Sequence, residues 1–207
     1  MNHKNGFTLL EILIATAISV GVAALVTVFI GSLARQGESF NRRILGQSQA
    51  SQSLQVMIPE IRSAGQSNVG GYAIEQASST SVTFYSDIDS DGVFERIRYF
   101  LDTDNAFKKG IIEPTGQPLV YATSSEVVRT VIDELSMGSE PVFRYYDITA
   151  TSTNSTELPS PIDVLEIKTI RIQLLFDEGD EFNPVIKGVE NQATVRNLRF
   201  KESNEQY

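Results

Sequence analysis

Between Ile12 and Leu33 lie 22 consecutive residues without a charge or a proline, mostly Ile, Val, Ala and Leu. As an α-helix rising about 1.5 Å per residue, this run is roughly 33 Å long, enough to cross a bilayer core. A soluble domain rarely needs a helix that is apolar on every face. The run therefore reads as a membrane anchor or a secretory signal. It exceeds the usual apolar region of a cleaved secretory signal, and no convincing A-x-A cleavage site follows it. The rest of the chain reads as a soluble domain that this segment carries.

Glu11 is the anomaly, with Phe7, Leu9 and Leu10 before it and Ile12 after it. A carboxylate at the centre of a membrane helix costs on the order of 2.5–3.5 kcal/mol, and less near its end. Such a residue needs a partner, and no cation lies nearby on the same face. Cleavage of the Gly6–Phe7 bond would create one. A free Phe7 amine, with an ordinary pKa of about 7.7–8, is mostly protonated at neutral pH and could pair with Glu11 of the same chain or a neighbour.

The stretch Gly6-Phe7-Thr8-Leu9-Leu10-Glu11, behind a short polar leader with Lys4, resembles the class III signal of type IV pilins and type II secretion pseudopilins. The resemblance covers about the first 35 residues; beyond them the chain resembles the larger minor pilins and J-type pseudopilins only loosely. It implies that a membrane-embedded prepilin peptidase cuts after Gly6 and methylates Phe7. It also implies that Glu11 pairs with the N-terminus of an adjacent subunit during assembly. The positive-inside rule gives no clean orientation, because Lys4 precedes the run while Arg35, Arg42 and Arg43 follow it. The resemblance supplies one: leader in the cytoplasm, anchor in the inner membrane, C-terminal domain outside, and then an extracellular or periplasmic filament.

Composition narrows the chemistry. The 207-residue chain has 26 acidic and 17 basic residues, a formal charge of −9, no Cys and one His, which lies in the leader. Disulfides, Cys/His zinc sites and thiol or Ser-His-Asp catalysis are excluded from a mature chain. The acidic balance offers no footprint for direct nucleic-acid binding. The pairs Arg42-Arg43 and Lys108-Lys109 read as solvated faces. Acid pairs such as Asp177/Glu178 and Asp180/Glu181 read as a solvated turn, so no enzyme is expected.

Small residues recur in the anchor, at Ala15 and Ser19, Ala17 and Gly21, then Ala24 and Gly31. Such spacing fits both ordinary membrane composition and close packing against other helices. From Arg35 to about Ser63 the composition turns polar. Phe40, Ile44, Leu54, Ile58 and Ile61 then form a stripe at helical spacing, with Gln47 and Ser51 between them. This amphipathic half continues the anchor helix, to about 55 residues from Phe7, until Pro59 kinks or ends it.

Strand patterns follow at Thr80–Ser86, Val93–Leu101, Leu119–Ala122, Val142–Asp147, Val164–Phe176 and Ala193–Phe200. Val127–Leu135 is open between helix and strand. Thr149–Pro161 reads as an exposed loop, Asp177–Pro184 as an acidic turn and Lys201–Tyr207 as a frayed end. The expected organisation is a leader at 1–6, an anchor helix at 7–34, an amphipathic continuation at 35–64 and a β domain at 65–207. This is an α+β, pilin-like fold, in which the helix packs on an antiparallel sheet because that sheet must bury one face.

One further constellation stands out: Asp87-Ile88-Asp89-Ser90-Asp91-Gly92 with Glu95. Oxygen ligands at alternate positions around a glycine suit calcium, but an EF-hand template fails at Arg98, where a glutamate belongs. Asp-Gly between strands equally marks a hairpin turn. A cofactor-free turn and a weak extracellular calcium site (Asp87, Asp89, Asp91, Glu95) both remain open. A singly anchored extracellular binding protein that does not assemble is the alternative to a filament subunit.

Overall fold

The computed structural model describes residues 8–147, 157–177 and 184–198, with the backbone alone over 33–46. Its first element is α1, a 54-residue helix from Leu9 to Arg62. Two compact units divide the chain between Arg42 and Arg43.

In the first unit, Leu9–Ser32 is a helix long and apolar enough to cross a membrane. Its side chains are exposed, as a lipid-facing segment requires. Three of its hydroxyls are satisfied within the helix: Thr16 donates to the Ile12 carbonyl at 3.0 Å, Ser19 to Ala15 at 2.8 Å and Thr27 to Ala23 at 2.9 Å. Internal pairing of this kind suits a segment without water around it.

In the second unit, α1 ends on an apolar face. Ala50, Leu54, Met57, Ile58 and Ile61 are buried. The side chains of Phe40 and Ile44, expected on the same stripe, lie outside the described residues. Pro59 does not stop the helix at once; it runs three residues further, and the Ser63 amide bonds the Pro59 carbonyl at 3.0 Å. A proline one turn from the end breaks only one internal bond there.

Among the described residues eight strands follow, in two antiparallel sheets rather than the single one expected. The first has the order β1-β2-β3-β4-β5: Ile74–Ala77, Ser81–Ser86, Glu95–Leu101, Phe107–Ile112 and Val127–Ile132. The second has the order β6-β7-β8: Phe143–Tyr146, Thr169–Asp177 and Ile186–Thr194. The division has a local cause. The amides of Val142 and Phe143, entering β6, bond the Ser79 carbonyl at 2.8 and 3.0 Å, and the Leu158 amide bonds the Tyr145 carbonyl at 2.8 Å. The outer edge of β6 is thus occupied, with Tyr146 bridging Glu157, and among the described strands it pairs with β7.

Other boundaries also differ. β1 and β4 lacked an apolar alternation; Val127–Ile132 is a strand; Leu119–Ala122 contributes only the Thr115–Val120 bridge. β7 starts at Thr169 rather than Val164, and β8 lies at Ile186–Thr194, earlier than expected. The expected loop at Thr149–Pro161, the acids from Glu178 to Glu181 and the terminal Lys201–Tyr207 fall wholly or largely outside the described residues.

One core serves the helix end and both sheets. Phe84 stacks on Tyr99 at 6.3 Å and Tyr99 on Phe107 at 5.9 Å, and Phe107 meets Phe143 at 6.2 Å. This run of rings crosses β2, β3 and β4 and reaches β6. The polar groups inside it are matched: the buried Tyr145 hydroxyl donates to the carbonyls of Ser78 and Ser81 at 2.9 and 3.0 Å.

The helix is also clasped to the first sheet by charge. Glu60 accepts the Tyr99 hydroxyl at 2.7 Å and the Lys109 ammonium at 2.6 Å. The side chains of Lys109 and Glu60 are only 14% and 13% exposed. Lys109 is therefore not on a solvated face, which corrects the reading of Lys108-Lys109. Lys108 is likewise paired, with Asp102 at 2.5 Å and Asp104 at 3.2 Å. Burial, and then the Glu60 carboxylate, push the Tyr99 hydroxyl well above its ordinary range.

Removing Glu60 strands a mostly buried ammonium and a buried hydroxyl. Glu60→Ala is expected to destabilise the domain by about 2–3 kcal/mol. Urea unfolding of the full chain in detergent checks this.

Candidate functional site

Two places carry the chemistry singled out by the sequence. The first is the start of α1. Gly6 and Phe7 lie outside the described residues. Thr8 immediately precedes the helix, and its carbonyl and Oγ1 both accept the Glu11 amide, at 3.1 and 3.3 Å. Its carbonyl also accepts the Ile12 amide at 3.3 Å. Thr8 is thus the N-cap, satisfying donors that an uncapped helix would leave without partners in an apolar medium.

Thr8-Leu9-Leu10-Glu11 has the T-x-x-E pattern of a capping box, a signal that the reading of Glu11 as an isolated anomaly passed over. Glu11 sits in the first turn, where the helix dipole favours a negative charge. It is exposed there, free to meet a cation from outside the chain.

The second place is the connection from β2 to β3. Its carboxylates hold the backbone. Asp87 accepts the amides of Asp91 at 3.2 Å and Gly92 at 3.0 Å; Asp89 also accepts Asp91 at 3.2 Å. Asp91 accepts Val93 at 2.7 Å, and Glu95 accepts Ile88 at 3.0 Å. Short acidic side chains that bond amides ahead of them build a turn by themselves. Gly92 has φ +86°, a left-handed conformation that glycine adopts without strain. Behind the turn, the Phe94 amide donates to Asn68 and the Phe94 carbonyl accepts the Tyr121 hydroxyl, both at 2.6 Å. The hairpin expected from Asp-Gly is present, between β2 and β3.

Three of the four expected ligands converge. Asp87, Asp89 and Glu95 each offer a carboxylate oxygen, and these oxygens lie within 4.8 Å of one another. Asp91 stands outside that set, its Oδ1 turned to Val93. Glu95 is only 3% exposed. Burial raises its pKa above the ordinary carboxylate value, the Ile88 amide opposes this, and Asp89 and Asp91 add to the rise. Arg98, where an EF-hand would need its last ligand, instead forms a two-pronged pair with Glu126 at 2.9 and 2.7 Å. That pair lies over Gly110, where a Cβ would collide with the Glu126 carboxylate. The pair holds the Glu126 carboxyl below its ordinary range.

Compared with known proteins, residues 1–26 match a family described as the prokaryotic N-terminal methylation motif. No curated protein and no solved structure matches the chain.

The Glu95 carboxyl has its own pH signature. With its folded pKa raised, the proton-bound form favours the fold, and that contribution is lost as pH rises through the folded value. Glu95→Gln, which keeps an acceptor for Ile88, is expected to raise Tm at pH 7. The gain should shrink as the pH falls to the ordinary glutamate range. Thermal melts of both proteins across pH 4–7.5, in metal-free buffer, check this.

Proposed function

We propose that this chain, which carries the class III signal of type IV pilins and pseudopilins, is a minor pilin or pseudopilin of a type IV pilus-like or type II secretion filament. The observation that carries the reading is a methylation motif over residues 1–26 that runs directly into an apolar helix from Leu9 to Ser32. The motif marks a structural subunit rather than an enzyme. Prepilin peptidase cuts between Gly6 and Phe7 and methylates the Phe7 amine. The subunit waits in the inner membrane with its C-terminal domain outside, then joins the filament alongside other pilin-type subunits. Apolar helices packed together replace the lipid that each one leaves.

Glu11 sets the register of that packing. A carboxylate taken from water or headgroups into a helical core needs a cation, and the Phe7 amine of a neighbour supplies it. A capped helix start at Thr8 holds Glu11 in the first turn, close to the chain end where such an amine would lie. The size of the domain behind the anchor supports a minor subunit.

N-terminal peptide mass spectrometry of protein from its native host tests the processing. A chain that begins at Phe7 with one added methyl is expected; an intact Met1 or Asn2 would favour a singly anchored binding protein that does not assemble. Glu11→Ala is expected to leave cleavage and membrane insertion largely intact while depleting the subunit from sheared filaments. Wild-type amounts in those filaments would remove Glu11 from assembly.

The convergence of Asp87, Asp89 and Glu95 favours a second, compatible reading, a weak calcium site outside the cell. The cation would relieve the repulsion among three clustered carboxylates. Added calcium should then raise Tm reversibly with chelator, and Asp89→Ala should abolish the rise. Melting temperatures unchanged by millimolar calcium would leave the turn cofactor-free.

A further inference from the structure

A strand at the edge of a sheet presents unpaired amides and carbonyls to any passing chain, and folded proteins blunt such edges. Three of the four edges described here are blunted. β1 is four residues long and irregular between Ile74 and Gln76, and its Glu75 is tied to Arg96 at 2.6 Å. β6 is covered by Ser79 and Leu158. β8 carries Lys187, Glu190, Asn191 and Gln192.

β5 is different. It runs Val-Val-Arg-Thr-Val-Ile, with Val127 54% and Val128 45% exposed on opposite faces. Among the described residues no strand covers its outer side.

Its charges narrow what would pair there. Arg129 stands directly opposite Lys109 on β4. Like charges in facing positions destabilise a sheet. Lys109 is neutralised by Glu60, but among the described residues no carboxylate pairs with the exposed Arg129. Just past the strand, Asp133 and Glu134 are exposed. The edge is positive at its middle and negative at its end.

We propose that β5 is a strand-addition edge that binds an extended, antiparallel segment of a different protein. That segment would be rich in β-branched residues, with an acid opposite Arg129 and a base towards the Asp133 end of the edge. Main-chain bonds along the edge supply affinity and the facing side chains supply register. The choice of a different protein over a second copy rests on the filament reading above. Subunits in a polar filament are related by a screw, whereas β5 pairing with β5 antiparallel needs a two-fold axis. Such self-pairing would also place Glu126 and Asp133 opposite each other when the apolar residues are aligned.

The test uses the full chain in detergent and a labelled peptide, Lys-Val-Thr-Thr-Glu-Val-Val, read by fluorescence anisotropy. Replacing the peptide's Glu by Lys is expected to weaken binding by about fivefold. Methylating the amides that face β5 should abolish it. Arg129→Glu should reverse the peptide preference, and Arg129→Gln, which keeps the strand if the reversal variant fails to fold, should erase it. No binding, equal binding of both peptides or indifference to amide methylation would each overturn the proposal. So would a concentration-dependent dimer lost in Val128→Asp, which would assign the edge to self-pairing. None of these readings depends on N-terminal processing, so the edge and the filament assignment fail separately.

Discussion

The strip of helix from Ala50 to Ile61 is the surface that the domain is built against. Leu54, Met57, Ile58 and Ile61 supply the apolar face that lets two sheets share one core. Each sheet needs a covered face, and a strand pair alone is marginal in water. Burying side chains of this size contributes about 1.5–3 kcal/mol each, so the helix end is a structural member of the domain as well as the continuation of the anchor.

Glu60 adds direction to that packing. Apolar contacts tolerate rotation and sliding, whereas a carboxylate held by both Tyr99 and Lys109 admits one placement of the helix end over β3 and β4. Elsewhere the charges are arranged for register on the sheet. Arg98 and Glu126 meet over Gly110, and Arg96 reaches Glu75. The consequence at β4 is a lysine that is neutralised from the helix side, beside an arginine on β5 that no described carboxylate meets. An edge strand thereby keeps a charge that its own sheet does not use.

At the other end of the helix the constraint is lipid rather than water. Thr16, Ser19 and Thr27 bond within the helix and Thr8 caps its first turn, and Glu11 is the one charged residue of the Leu9–Ser32 sequence. The acidic turn shows the opposite economy. Its carboxylates are spent on backbone amides, yet Glu95 is buried beside other acids and titrates high for that reason.

The apolar N-terminal helix, the apolar face at the helix end, the α+β class and the β2–β3 hairpin were legible in the residues, because each follows from local periodicity or turn chemistry. The motif over residues 1–26 is local in the same sense: contiguous residues carry it whatever the domain behind it does. What tertiary structure alone decided is non-local. β4 was hidden because Lys108-Lys109-Gly110 breaks an apolar pattern, and only the fold shows Lys109 bound to Glu60 and Gly110 making room for Glu126. The division into two sheets depends on a turn carbonyl at Ser79 meeting β6, 64 residues on from Ser79 at Phe143 by the numbering. The exposed edge at β5 depends on which strands do not pair. Periodicity reports which face of a segment is buried; it carries no information about which distant segment buries it.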